Sequence, residues 1–183
     1  VKILFAYKNN IELALQAIEE DYEYIAAVGG DGTINEVAKC LIGKKQILII
    51  VPLGSGNGLA NHLGLPFKIE KHIDEVINNG KVHKIDTATM NGIPFISIAG
   101  IGFDALIADY FAKDGNRGFL TYAKLVTEKY PNFKPKEYTL ILDDKTTIEC
   151  KPFFVTFANS NQFGYNAEIS PKASVQDGLL DVC

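Results

Sequence analysis

Two segments of this sequence share one design: an apolar run of strand length that ends in a cluster of glycines and is followed by apolar residues at helical spacing. In the first, Tyr22–Val28 runs into the turn Gly29–Gly32, and Ile34, Val37, Ala38, Leu41 and Ile42 form a helical stripe closed by Gly43. In the second, Ile47–Val51 is wholly apolar, the composition of a strand buried on both faces of a parallel sheet. It leads through Pro52-Leu53-Gly54-Ser55-Gly56-Asn57-Gly58 to a short helix at Ala60–Leu63. Strands joined by helices in this way run parallel, so both glycine turns fall at the carboxyl edge of one sheet, where open α/β sheets bind their ligands.

The flanking pattern extends the same architecture. Val1–Ala6 reads as a further strand, and Ile11–Ile18 as a helix behind the capping candidates Asn9 and Asn10. A helix over Ile69–Asn79 completes a doubly wound α/β unit. Beyond Asp86 the pattern turns antiparallel. Ile85–Met90 and Pro94–Ala99 flank Asn91-Gly92, a strong hairpin signal. Helices at Asp104–Ala112 and Phe119–Tyr130 precede strands at Tyr138–Leu142, Thr146–Cys150 and Phe153–Ala158. We therefore expect an α/β domain over residues 1–86 and a β-rich domain over residues 87–183.

Composition excludes several classes. The 22 acidic and 18 basic residues divide evenly, with 9 basic and 11 acidic side chains in each of residues 1–86 and 87–183, so no basic lobe exists. Arg117 is the only arginine, which argues against nucleic-acid binding. The longest apolar run, Ile47–Leu53, falls far short of the ~20 residues that span a bilayer. Cys40, Cys150 and Cys183 are odd in number and widely separated, which suits reduced thiols and a cytoplasmic setting. Met90 is the single methionine, and the chain opens and closes inside apolar runs, so the sequence reads as a fragment truncated at both ends.

Glycines before a helix allow close backbone approach, and the helix's first amides are unpaired, so Gly29–Gly32 is a ready anion site. Asp31 would repel a polyphosphate unless magnesium intervenes, and a phosphate-and-magnesium role accounts for it. Thr33 and Glu36 also fit a capping box, the purely structural alternative. The second turn is neither a P-loop nor a Gly-x-Ser-x-Gly elbow, because Leu53 and Asn57 stand where the elbow needs glycine, and Ser55 is thus a poor nucleophile candidate. Gly100–Ala105 satisfies a dinucleotide fingerprint in form, but the required parallel strand is replaced by the helix expected at 119–130.

Together, Gly29-Gly30-Asp31-Gly32-Thr33-Ile34-Asn35-Glu36-Val37 and Pro52-Leu53-Gly54-Ser55-Gly56-Asn57 resemble the catalytic domain of the diacylglycerol kinase and sphingosine kinase superfamily. Lys84-Ile85-Asp86, the Gly102–Ala105 turn and the late Asp177-Gly178-Leu179-Leu180-Asp181 segment follow in the family's order, so the resemblance spans nearly the whole chain. It implies an NAD kinase/diacylglycerol kinase-like fold: a parallel Rossmann-like domain, then an antiparallel β-sandwich, with ATP in the cleft between them. It further implies nucleotide contacts at Gly29, Gly30, Asp31, Gly32, Thr33, Ile34, Asn35 and Ser55. A structural magnesium is implied at the Asp177 side chain and the carbonyls of Ser174 and Leu179. The sequence departs from the family at Ala6, where some members have a nucleotide-contacting threonine, and at Gly58, where an aspartate is frequent. The family's general base is expected beyond residue 183, leaving Asp31 to organise magnesium and phosphate, with a role as base the alternative.

The expected activity is transfer of the ATP γ-phosphoryl group to a hydroxyl of a diacylglycerol-like or sphingoid lipid. The alternatives are an NAD kinase and a non-catalytic nucleotide-binding regulator. The implied partner is a lipid at the membrane surface, reached by a peripheral cytoplasmic protein, and a homodimer is compatible with the reading. His62, His72 and His83 are expected to pack or to face solvent. Phe119, Tyr122 and Tyr130, at helical spacing, are expected in the core, as are Phe153, Phe154 and Phe157.

Overall fold

The computed structural model describes residues 9–114, 116 and 118–183. The expected strand Val1–Ala6, the departure at Ala6 and Arg117 lie outside the described residues. The first half runs α1 (Asn10–Glu19), β1 (Tyr24–Gly29), α2 (Asp31–Leu41), β2 (Ile47–Pro52), α3 (Gly58–His62) and α4 (Ile69–Asn79). β1 and β2 are parallel and in register from Tyr24 beside Ile47 to Gly29 beside Pro52, so both strands end at the same level.

The stripe Ile34, Val37, Ala38 and Leu41 is buried as its spacing requires, against Ile25, Ala27 and Ile50 of the sheet and Ala14 of α1. Each large aliphatic side chain buried there stabilises the layer by about 1.5–3 kcal/mol. Asn9 and Asn10 do not cap α1. Their side-chain amides donate instead to Glu12 Oε2 and Glu36 Oε2, both at 2.8 Å, charge-assisted bonds to carboxylates. The second of these bonds ties α1 to α2. Two-sided burial holds only for the carboxyl half of β2, Ile50–Pro52; β1 alternates, with Tyr24 and Val28 exposed.

The second half runs β3 (Ala88–Met90), β4 (Ile93–Phe95), β5 (Ile98–Gly102), α5 (Phe103–Lys113), α6 (Phe119–Lys129), a 3₁₀ turn (Tyr130–Asn132), β6 (Tyr138–Leu142), β7 (Thr146–Cys150), β8 (Phe154–Ala158) and β9 (Asp181–Val182). All of its strand pairs are antiparallel: β3 with β4, β6 with β7, and β8 between β5 and β9. The hairpin at Asn91-Gly92 has positive φ at both residues, 51° and 77°, which is the conformation a two-residue turn needs. Its first strand begins at Ala88 rather than Ile85, because the backbone before it is engaged elsewhere: Asp86 N–H donates to Val175 O at 2.7 Å. The second expected strand is split at Ile96, whose side chain is buried in the first-half core together with Val175. Two residues of the second half thus complete the core of the first.

A separate core lies under α5 and α6, where Phe103, Ile107 and Leu125 are buried and Tyr122, Phe133 and Phe153 pack on them. Phe119 and Tyr130 depart from expectation: they are 59% and 61% exposed. The inward stripe of α6 is Tyr122, Leu125 and Val126, with Leu125 buried, and the flanking aromatics make ring contacts at its margin, Phe119 edge-on to Tyr165, and Tyr130 edge-on to Phe103 and tilted against Phe153.

Candidate nucleotide site

The turn after β1 is tighter than the sequence suggests. Gly30 is the N-cap of α2, so Asp31, Gly32 and Thr33 form the helix's first turn, and Ile34 N–H donates to Gly30 O at 3.0 Å. The capping-box alternative fails on this geometry, since Thr33 lies inside the helix and no side chain caps it. A Cβ on Gly29 would stand 2.8 Å from Thr33 Cβ, so this glycine is required by its own helix. Gly32 differs: a Cβ there would meet nothing within 4 Å. A glycine that packing does not require, placed in a helix where it costs about 1 kcal/mol, leaves the first-turn backbone open to a ligand.

The second turn lies directly on the first. A Cβ on Gly54 would fall 2.4 Å from Gly30 Cα. Asn57 fixes this contact. Its Oδ1 accepts Gly54 N–H at 2.9 Å and its Nδ2 donates to Gly54 O at 2.7 Å, while its own backbone, at φ 54°, starts α3 in the left-handed conformation. Ser55, at the tip, is exposed. Asp31 points across: its Oδ1 accepts Leu59 N–H at 3.4 Å, and its Oδ2 lies 3.4 Å from where a Gly56 Cβ would be. Asn35, one turn further along α2, holds its Oδ1 buried without a partner. The two glycine turns, Asp31 and Asn35 are therefore brought together, with Thr33 and Ile34 on the same first turns, although Ile34 is a core side chain and offers only its backbone.

The second half closes the other side. Gly56 O accepts Tyr165 N–H at 3.2 Å, and a Cβ at Gly58 would lie 2.7 Å from Gln162 O. The loop Gln162–Tyr165 occupies the space in which the frequent aspartate would stand, which makes glycine at 58 a packing requirement here. His62 joins the same contact, its Nδ1 accepting Asn161 N–H at 3.2 Å. Sequence reasoning missed Asn57, His62 and the Asn161–Tyr165 loop. A usable signal was the polar run Asn159-Ser160-Asn161-Gln162 at the end of an apolar strand. Of the other histidines, His72 is buried and His83 exposed.

The expected magnesium residues lie elsewhere, on the late loop. Asp177 Oδ1 accepts Leu179 N–H at 3.0 Å, and Asp86 Oδ2 accepts Gly178 N–H at 2.7 Å. Ser174 Oγ accepts Gln176 N–H at 3.3 Å, so the segment is turned on its own side chains. Two carboxylates thus hold one turn. Among the described residues no group of three or more His, Cys, Asp or Glu side chains forms a metal site. An ion here would rest on mixed carboxylate and carbonyl oxygens, a donor set that a hard cation accepts.

The Gly100–Ala105 turn is not a dinucleotide site. β5 is antiparallel to β8, and α6 follows α5 directly. Its Asp104 carboxylate is half-buried, with Oδ1 accepting Ala105 N–H at 2.6 Å and Oδ2 accepting the Thr156 hydroxyl at 3.4 Å. Burial pushes the Asp104 carboxyl up, against the opposing pull of those two donors.

A model of the diacylglycerol kinase catalytic domain matches residues 5–90, and a model of the YegS C-terminal NAD kinase beta sandwich-like domain matches residues 97–183. The chain thus pairs a diacylglycerol kinase catalytic domain with a YegS C-terminal beta sandwich-like domain. It is 36% identical over 175 residues to a diacylglycerol kinase of Bacillus subtilis, covering 92% of this chain and 57% of that protein. It is 29% identical over 180 residues to one of Mycobacterium tuberculosis, covering 93% and 57%. The chain thus spans under two thirds of the length of these relatives. The crystal structure of a diacylglycerol kinase from Bacillus anthracis superposes with a TM-score of 0.71 at 21% identity, over 98% of this chain and 60% of that one, which establishes the fold. The α/β and β-sandwich-like architecture implied by the resemblance is the one observed.

The shift at Asp104 gives a testable sign. A carboxyl whose folded pKa is raised contributes stability below its unfolded value, and that stability is lost as pH rises through the folded value. Asp104→Asn should therefore gain melting temperature relative to the parent as pH is raised from about 4 to about 7. A difference independent of pH would contradict the burial argument.

Proposed function

We propose that the chain forms the ATP-binding core of a lipid kinase that transfers the γ-phosphoryl group to a hydroxyl of a diacylglycerol-like lipid. The observation that carries this reading is the contact of two glycine turns at the carboxyl ends of adjacent parallel strands, with the Asp31 carboxylate facing the second turn. In this reading, backbone amides of Gly29–Thr33 and the Ser55 hydroxyl would offset phosphate charge, as phosphoryl transfer requires positioning and neutralisation more than covalent chemistry. The unpartnered Asn35 Oδ1 offers one acceptor to a bound nucleotide. Magnesium bound at the phosphates would neutralise charge there, and Asp31 is the residue that would hold it. The relatives named diacylglycerol kinase support a lipid acceptor. Among the described residues no helix is long and apolar enough to cross a membrane, so a lipid acceptor would be met at the surface. We further place the division between the nucleotide domain and the lipid domain at Asp86-Thr87.

The test is radiolabel transfer from ATP to extracted lipids by the full-length protein, with NAD as the competing acceptor. Asp31→Asn should lower lipid phosphorylation by about 100-fold or more while melting stays unchanged. Activity within about tenfold of the parent would remove Asp31 from the phosphate site. Labelling of NAD in place of lipid would identify an NAD kinase.

The late loop has its own test. A magnesium ion held by Asp177 with the Ser174 and Leu179 carbonyls should raise the melting temperature in proportion to its binding, and Asp177→Asn should lose both stability and that response. Equal melting of the two proteins across a magnesium titration would leave Asp177 as the acceptor of the Leu179 turn alone.

A further inference from the structure

Tyr165 stands in a conformation that its side chain disfavours. Gly164, Tyr165 and Asn166 follow one another at φ 115°, 52° and 57°, and a bulky residue keeps a positive φ only where its surroundings impose it. The three form the tip of a hairpin closed by Phe163 N–H on Ala167 O at 3.0 Å and by Ala167 N–H on Gly164 O at 2.8 Å. What this backbone achieves is aim. Tyr165 N–H points out of the hairpin at Gly56 O, 3.2 Å away, and Gly164 lies so close that a Cβ on it would stand 2.8 Å from Gly56 Cα. The strained residues of the second half thus press on the second glycine turn of the first.

The turn depends on such contacts, because it runs into α3, whose five residues are too few to hold a helix by themselves. Asn57 clips Gly54 at the start of α3, and Asn61 Nδ2 donates to Gly56 O at 3.1 Å. At its last residue, His62 reaches the hairpin: Nδ1 lies 3.2 Å from Asn161 N and 3.0 Å from Asn161 Oδ1. With the ring proton on Nε2 it accepts the amide, and with a proton on Nδ1 it donates to the side-chain oxygen, so one bond to Asn161 is open in either form. Asn161 is itself anchored in the second half. Its O accepts the amides of Ile169 and Ser170 at 2.9 and 3.1 Å, and its Nδ2 donates to Glu168 Oε1 at 3.4 Å.

We infer that the hairpin Asn161–Glu168 is a clamp by which the second half sets the position of the second glycine turn, and that His62 is the positioning residue that fastens it. The amides of Gly54–Gly56 and the Ser55 hydroxyl then reach a phosphate only while the clamp is closed. The effect on affinity rests on the two turns being a phosphate site, whereas the clamp is a property of the protein without nucleotide.

The experiment compares the full-length protein with His62→Leu, His62→Asn and His62→Gln, by amide hydrogen exchange without nucleotide and by calorimetric titration of MgATP. In His62→Leu the amides of Asn161 and Tyr165 should exchange about tenfold faster or more while those of the β1–β2 pair keep their rates, which separates an opened clamp from a general loss of stability. MgATP affinity should fall about tenfold, within the range of couplings between sites. The Asn side chain places its Oδ1 where Nδ1 stands, so His62→Asn should bring exchange and affinity back to within about threefold of the parent. Gln, whose polar atoms lie at the level of Nε2, should behave as Leu does, and it stands in for Leu if that variant does not fold. Unchanged exchange in His62→Leu would overturn the clamp. Faster exchange at every amide, or equal behaviour of the Asn and Gln variants, would make His62 a packing residue and overturn its positioning role. Faster local exchange with unaltered MgATP affinity would overturn the link to nucleotide. A parent that binds no MgATP would overturn the phosphate site and the claim on affinity together, and the exchange pattern would still decide the clamp.

Discussion

The backbone contact between Gly30 and Gly54 is the constraint on which the rest of the site depends. With 2.4 Å between Gly30 Cα and the position of a Gly54 Cβ, no side chain fits at residue 54 while β1 and β2 remain paired to their last residues. Because the turns touch, Asn57 can clip Gly54 from both sides and begin α3 directly beneath Asp31. The same compactness brings Gly56 and Gly58 against the Gln162–Tyr165 loop, so backbone contacts hold the second half to the site, with the His62 side chain adding one more bond.

Much of this was legible in the chain. Ile34, Val37, Ala38 and Leu41 recur at a helical period because one face of α2 is buried, and the apolar Ile47–Val51 run reports a strand whatever covers it. Asn91-Gly92 signals its hairpin because few residues accept two left-handed conformations in succession. The contacts that assemble the site were not legible, since periodicity reports which face is buried and not which distant segment buries it. Nothing local in Ile96 or Val175 announces that they pack beneath α2, or that Asp86 is paired with Val175 across the chain. Phe119 and Tyr130 fail for a related reason: helical spacing gave them the right face, but other side chains fill the core there.

The acidic residues show how environment separates like groups. Asp31 begins a helix, where the dipole favours its charge, and looks into a glycine-lined space. Asp86 and Asp177 spend their oxygens on backbone amides of one turn. Asp104 is half-buried beside Thr156, and its charge also pushes the Tyr122 hydroxyl's pKa up, after the larger effect of burial. Four carboxylates therefore divide into one that faces the second glycine turn, two turn-holding groups and one desolvated group, a division that residue type alone does not supply.

The central claim is that two turns form one phosphate site. It is tested most directly by titrating MgATP into isotopically labelled protein and following the backbone amide resonances of both. The account predicts that Gly29–Thr33 and Gly54–Gly56 shift together, with a single saturation curve. Shifts confined to one turn, or centred on Gly100–Asp104, would contradict it.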